Sequence, residues 1–305
     1  MINKAVYRYN RYVDSSIDYY VPIGGAIINF EDLAGKSGNI ESPEEIITRE
    51  RLTVLKDTEG LAIGEIAGRD SVAAIIKACE THNIDAVLPT IVYTGTEFGD
   101  WDSPLRNIEF LKNALGRSCT VFEPVFLGNP ELWAALSGKF ATVIAKNFNI
   151  YSPCLACHLY MHLCRVPLAK SLGKTPIISG ERDSHQGVIK LSQTPRGIDA
   201  SVEVLAYAGI ELLLPIRHME DNAEIRRWVG PDWEQGQRQL ECVLSGNYAG
   251  LEKEVVYDEI AHRRYLDEFL IPSGKAVIDA WRTSTTVDYS QIVGVILKNI
   301  VGART

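Results

Sequence analysis

From Gly60 onward, short apolar runs alternate with amphipathic helix-favouring segments, and this rhythm most constrains the fold. Leu61–Ile66, Ala86–Tyr93, Thr120–Val125, Pro176–Ser179 and Glu211–Pro215 read as strands. Between them, Ser71–His82, Pro104–Leu115, Pro130–Phe148, Cys157–Leu172 and Gly197–Ala208 read as helices. Asn222–Val229 closes the series, with Asp221 at its N-cap. Strands that alternate with helices need crossover connections, so they pair in parallel and bury both faces of the sheet. The expected class is α/β, a Rossmann-like parallel sheet flanked by helices. Ligands in such sheets bind beyond the carboxyl ends of the strands. The loops 66–71, 94–102, 151–157 and 179–187 should share that edge.

The flanks read differently. Residues 1–58 form an N-terminal extension with Tyr7, Tyr9, Tyr12, Tyr19 and Tyr20, a Gly24–Gly25 turn and an acidic helix over Pro43–Leu55. Ser42 with Glu45 forms a capping-box pattern there. Residues 251–305 read as a helical tail, and 59–250 as the core domain. No run of about 18 apolar residues is present, and the start is too polar for a signal peptide, so a cytoplasmic protein without membrane contact is expected. Tyr-rich and helical ends make a homodimer plausible. The net charge of −8 argues against a large nucleic-acid surface. Charge is uneven, however: between Lys139 and Asp199, eight lysines and arginines stand against three acids.

Two motifs fall on the expected ligand edge. Ala67-Gly-Arg-Asp-Ser71 ends a strand and opens a helix. Small residues let backbone N–H groups approach an anion there, and the helix N-terminus favours negative charge. Ser71 adds a hydroxyl, and Asp70 either holds Mg²⁺ or orients the turn. The second motif is Cys154-Leu-Ala-Cys157. In a protein read as cytosolic, CxxC points to metal or redox chemistry, with ordinary buried thiols as the plainer reading. A third thiolate must come from elsewhere. Cys164 lies two helical turns beyond Cys157, about 10 Å along the axis, which is far for one metal group. That favours Cys242, while Cys79 and Cys119 read as plain core thiols.

The turn resembles the pyrophosphate loop of the N-type ATP pyrophosphatases, Ser-Gly-Gly-x-Asp-Ser. Gly68, Asp70 and Ser71 match, while Ile66 and Ala67 replace the Ser and first Gly. The helix after Cys157, running to Ala169-Lys-Ser-Leu-Gly173, and the strand Ile177-Ile-Ser-Gly180 are similar to one branch of that superfamily, the cluster-dependent tRNA thiolases. So is a third cysteine well downstream. The resemblance covers about residues 60–247. It implies an adenine nucleotide alpha-hydrolase-like fold and an ATP-dependent sulfurtransferase. That enzyme adenylates a carbonyl oxygen, releases pyrophosphate and replaces the oxygen with sulfur. It further implies a [4Fe-4S] cluster on Cys154, Cys157 and Cys242, with ATP and Mg²⁺. The acceptor would be a tRNA base or a small metabolite, and the sulfur donor sulfide or a cysteine desulfurase.

By the same resemblance, Ala67, Gly68, Arg69, Asp70, Ser71 and Gly180 cradle phosphates. Arg182 faces them, and Asp70 and Asp183 are catalytic acids on Mg²⁺. Thr94 and Thr96 are either nucleoside contacts or strand-edge threonines. Arg217 meets phosphate or substrate. His185 is a general acid or base, or structural. Glu97, Asp100 and Asp102 form a solvated acidic loop. Lys190 and Arg196 lie in a long loop, Gln186–Gly197, of a length suited to a lid. His158 and His162, four apart, offer a metal face. Two rival readings keep the nucleotide site: an amide- or nitrile-forming ligase, and a sensor without catalysis.

Overall fold

The structure, a computed structural model, describes residues 40 and 42–302 except 186, 234, 235, 251, 253, 256, 284 and 285, together with the backbone of 20–23 and 26–29. The hairpin strands β1 (Tyr20–Ile23) and β2 (Ala26–Asn29) pair antiparallel. Tyr7, Tyr9, Tyr12, Tyr19 and the Gly24–Gly25 turn lie outside the described residues. The acidic helix is two pieces, α1 (Pro43–Ile46) and α2 (Arg49–Lys56), because Ile47 and Thr48 are extended. Ser42 makes no capping bond; Thr48 Oγ1 instead accepts from the Arg51 N–H at 3.3 Å.

The β/α alternation follows. It comprises β3 (Leu61–Glu65), α3 (Arg69–Thr81), β4 (Ala86–Val92), β5 (Glu97–Phe98), α4 (Ser103–Leu115), β6 (Thr120–Val121) and β7 (Val125–Leu127). Next come α5 (Pro130–Trp133), α6 (Ala141–Phe148), α7 (Pro153–Leu163), α8 (Val166–Ser171), β8 (Ile177–Ile178) and α9 (Pro195–Ala208). Then follow β9 (Leu212–Leu213), α10 (Asn222–Val229) and β10 (Glu241–Cys242). The main sheet is parallel, in the order β6-β4-β3-β8-β9, with β7 also paired to β4. Chain order turns outward from β3 in both directions, so the crevice beyond its carboxyl end is where such a sheet binds ligands.

Both faces of the sheet are buried, as the unbroken apolar runs require. Along β4, Leu88 and Val92 pack on the side of α7 and α9, while Val87 and Ile91 pack on the side of α3, α4 and α10. This two-residue alternation is the strand's own geometry.

Several boundaries differ from expectation for local reasons. The strand expected over Thr120–Val125 splits around Pro124, which has no N–H for the ladder. The long helix over Pro130–Phe148 divides into α5, a wide π-helical turn at Ala134–Gly138, and α6. The helix expected from Cys157 begins at Pro153 and breaks before Pro167, whose ring opposes the carbonyl one turn back. Asp221 caps α10 as expected, its Oδ1 accepting from the Ala223 N–H at 2.8 Å.

The tail carries α11 (Glu259–Arg264), a π-helical turn at Tyr265–Leu270, α12 (Ile271–Thr283) and α13 (Tyr289–Gly302). It is not a separate appendage. Phe269, Val277 and Val293 are buried in the same apolar cluster as Leu159 and Val204. Among the described residues, no helix is long and apolar enough to cross a membrane.

Candidate active site

The chain leaves β3 at Glu65 and turns through Ile66, Ala67 and Gly68 into α3. Ser71 closes this turn: its Oγ accepts the Ala67 N–H at 3.0 Å and donates to the Gly68 carbonyl at 2.9 Å. The hydroxyl expected to face phosphate is therefore spent on the turn itself. Asn107 Nδ2 braces the Ala67 carbonyl at 3.1 Å. Gly180, at the end of β8, lies against the first turn of α3. A Cβ there would sit 2.5 Å from the Ser71 nitrogen. Only glycine lets these two backbones meet, so its part is close packing beside the phosphate turn.

Two buried arginines clamp Asp70. Arg69 Nε bonds Oδ1 at 2.9 Å, and Arg182 Nε bonds Oδ2 at 2.9 Å. Arg182 also reaches the Met219 carbonyl at 3.0 Å and Asn222 Oδ1 at 3.2 Å. Asp70 is thereby tied into the turn, one of its two expected roles, and Arg182 braces it there. Arg69 Nη1, by contrast, is buried without a hydrogen-bond partner. Lys190 and His185 lie within electrostatic reach of this clamp. Burial, Lys190 and Arg182 push His185 down to about 4, so it is neutral at pH 7. Burial also lowers Lys190, and Asp70 partly opposes this. Asp183 lies apart: its Oδ2 is 3.0 Å from Arg217 Nε and 3.0 Å from His218 Nδ1. Arg217 also bonds Asp199 Oδ1 at 2.7 Å. The expected catalytic acid and phosphate contact are thus paired with each other.

The cysteines reach the same edge by two routes. Pro153 starts α7, placing Cys154 and Cys157 in its first turns. Cys242 arrives on β10, which pairs antiparallel with β5 in the register Cys242↔Glu97. All three line one cavity of about 260 Å³, with Glu65, Ala67, Thr94, Thr96, Trp101 and His158 also in its wall. Cys164 is fully buried in the core and does not line it.

Burial pushes the Cys157 thiol up to about 12, although the Trp133 indole N–H donates to its sulfur at 3.3 Å. Burial, then Cys242, raises Cys154. Cys242 Sγ accepts the Leu244 N–H at 3.4 Å and lies 3.2 Å from Thr96 Oγ1. Cys154 and Cys157, held protonated by burial, become thiolates when a metal displaces the proton. Among the described residues, no three His, Cys, Asp or Glu side chains stand as ready ligands of a single ion. The three thiols ring a cavity instead.

No family model matches the chain. An uncharacterized protein of Methanocaldococcus jannaschii is 38% identical over 221 residues, 72% of this chain and 79% of that protein. The chain belongs to the family of that archaeal protein.

In this family member, the cavity floor holds a charge network that sequence reasoning missed. Glu65, from β3, lies 3.8 Å from His162 Nδ1 and 3.7 Å from Arg165 Nη1. Glu181 bonds His158 Nδ1 at 2.5 Å. The two histidines expected as a metal face are therefore turned onto carboxylates. Burial alone would lower His158, but the Glu181 charge outweighs it and raises the imidazole. Glu181 is held well below the usual carboxylate range: burial opposes this, and the charge and hydrogen bond of His158 prevail. Glu97 is not a solvated acid. Its carboxylate accepts the N–H groups of Thr94 and Thr96 and the Thr94 hydroxyl at 2.9, 3.1 and 2.6 Å. Thr94 and Thr96 thus order this loop while lining the cavity. The one available signal for Glu65 was a charge at the end of an otherwise apolar strand.

Proposed function

We propose that the protein is an ATP-dependent sulfurtransferase of the N-type ATP pyrophosphatase superfamily, acting on a small heterocycle or an exposed base. One observation carries the reading: Cys154, Cys157 and Cys242, distant in sequence, line the same cavity as Ile66 and Ala67 of the phosphate turn. Phosphates would meet the turn's backbone, Arg69 Nη1 and Lys190, which supply positive charge at a helix N-terminus. Fixed cations of this kind stabilise charge that develops as pyrophosphate leaves.

The three thiols would hold a [4Fe-4S] cluster, a group wider than one ion and therefore suited to ligands ringed around a cavity. When bound, such a cluster supplies one iron without a protein ligand, where sulfur can be carried. Hydrogen bonds to Cys157 and Cys242 sulfur would tune it. Asp70 and Asp183 do not fit the Mg²⁺ role, since each is paired with arginine. That same pairing favours a second reading, nucleotide binding without turnover.

Anaerobic purification with iron and sulfide analysis tests the proposal. Wild type is expected to hold about four irons per chain, and Cys242→Ala to lose them. A protein that stays colourless after cluster reconstitution would sink the sulfur-transfer reading. Iron loading without pyrophosphate release on adding ATP and acceptor would favour the second one.

A further inference from the structure

Three of the six cysteines line the cavity, and Cys164 is buried in the core. The remaining two, Cys79 and Cys119, stand together elsewhere. Cys79 lies in the last turn of α3 and is half-buried; Cys119 immediately precedes β6 and is buried. Both are free thiols, 40 residues apart in sequence, with their sulfurs 3.1 Å apart.

Apolar packing accounts for a buried thiol, the ordinary state of a core cysteine. It does not account for two sulfurs in direct contact. The Cys79 S–H donates to the Cys119 sulfur. That bond lowers the Cys119 thiol against the effect of burial, and it raises Cys79 together with burial. Asp85 also faces the pair, and its charge opposes ionisation of both. Two sulfurs that share a proton titrate as a pair, and the thiolate they yield is the nucleophilic form. A shift of about 1 Å closes the gap to a covalent S–S bond. Cys119 has room for it, because β6 pairs with β4 only from Thr120 onward. Cys79 reaches solvent, which gives a small oxidant a way in.

What the pair would join gives the contact its consequence. Helix α3 begins at the phosphate turn. The chain between the two cysteines holds β4, the cavity-lining Thr94, Glu97 and Trp101, and α4. Asn107 on α4 is 1% exposed. Its Nδ2 donates to the Ala67 carbonyl at 3.1 Å and to the Arg238 carbonyl at 2.8 Å, four residues before Cys242. A bridge would therefore close a loop whose members brace the turn and wall the cavity.

We propose that Cys79 and Cys119 are an oxidation site, a dithiol that a peroxide converts to a disulfide clamping α3 to the edge strand β6. One sulfur takes an oxygen from the peroxide as a sulfenic acid, and the first water leaves. The other sulfur displaces that oxygen as the second water, and the S–S bond forms. The two thiols lose two electrons and two protons, and the peroxide gains both. Neither sulfur lines the cavity, so the bridge forms whether or not a cluster is held there.

Equimolar hydrogen peroxide, added to the full-length protein as purified, tests this by peptide mapping. The peptides of Cys79 and Cys119 should be found joined, two hydrogens lighter than the free pair and separable by reductant. The oxidised chain should melt about 5 °C or more above the reduced one, since the bridge closes a long loop in the unfolded chain. Cys79→Ser keeps a hydroxyl donor for Cys119 and should show neither change under the same treatment. Cys119→Ala, as a second variant, should show neither as well. Alkylation of both thiols after treatment, a bridge from Cys79 to a cavity cysteine, or an equal rise in melting temperature in Cys79→Ser would overturn the pairing. A 79–119 bridge that leaves the melting temperature unmoved would overturn the clamp.

Discussion

The phosphate turn and the cysteine corner face one cavity but are built in opposite ways. The turn is local: residues 66–71 are consecutive, and Ser71 closes them with its own hydroxyl. It is then locked from outside by Gly180 and by the arginine clamp on Asp70. The corner is assembled from α7 and from a two-stranded ribbon whose register alone delivers Cys242. It follows that turn substitutions should act on folding as much as on chemistry, whereas cysteine substitutions should act on chemistry with little effect on folding.

The sharpest test of that difference is Cys242→Ala. Iron should fall from about four per chain to near zero, while stability measured in denaturant moves by less than about 1 kcal/mol, as for partly exposed positions. A cooperative unfolding transition lost along with the iron would break the contrast, because the corner would then be structural too.

Gly180→Ala should show the reverse. A Cβ placed 2.5 Å from the Ser71 nitrogen overpacks the contact between β8 and α3. The expected loss is on the order of 3 kcal/mol, read as a lower denaturation midpoint. Iron binding in the protein that remains folded should be unchanged.

Asp70→Asn comes next. It leaves Arg69 and Arg182 without their shared counter-charge. Removing one partner of a fully buried pair costs about 3–5 kcal/mol. Asp70 is 19% exposed, so about 2 kcal/mol is expected after screening. If Asp70 instead held Mg²⁺, binding of Mg-ATP would collapse while the melting temperature stayed put. Nucleotide titration beside a thermal melt separates the two.

The smallest effect belongs to Glu181, beneath the corner. Its carboxyl is depressed in the folded chain, so its stabilisation is fully present above the unfolded value near 4.5 and is lost as pH falls through the folded value. Wild type should therefore melt higher than Glu181→Gln at pH 6, and the gap should close progressively below about pH 4.5. A gap that persists at low pH would mean that Glu181 acts through packing rather than charge.

The sequence by itself determined the α/β class, because unbroken apolar runs between helical segments leave no other burial scheme. It also placed the turn, whose residues are consecutive, and Asp221 at its cap. CxxC was legible for the same reason, since both thiols sit on one helix. Tertiary structure alone decided how these pieces are used. Asp70 and Asp183 look like free acids in the sequence. Arg182, 112 residues beyond Asp70, neutralises one, and Arg217, 34 residues beyond Asp183, neutralises the other. His158 and His162 have the spacing of metal ligands, yet both meet Glu181 across the sheet edge. The identity of a side chain fixes its charge and its donors, but partners brought by distant segments fix which of them stay unpaired. Here that choice leaves Glu65 Oε2, the His162 Nδ1 facing it and Arg69 Nη1 without hydrogen-bond partners, and brings three thiols to one cavity.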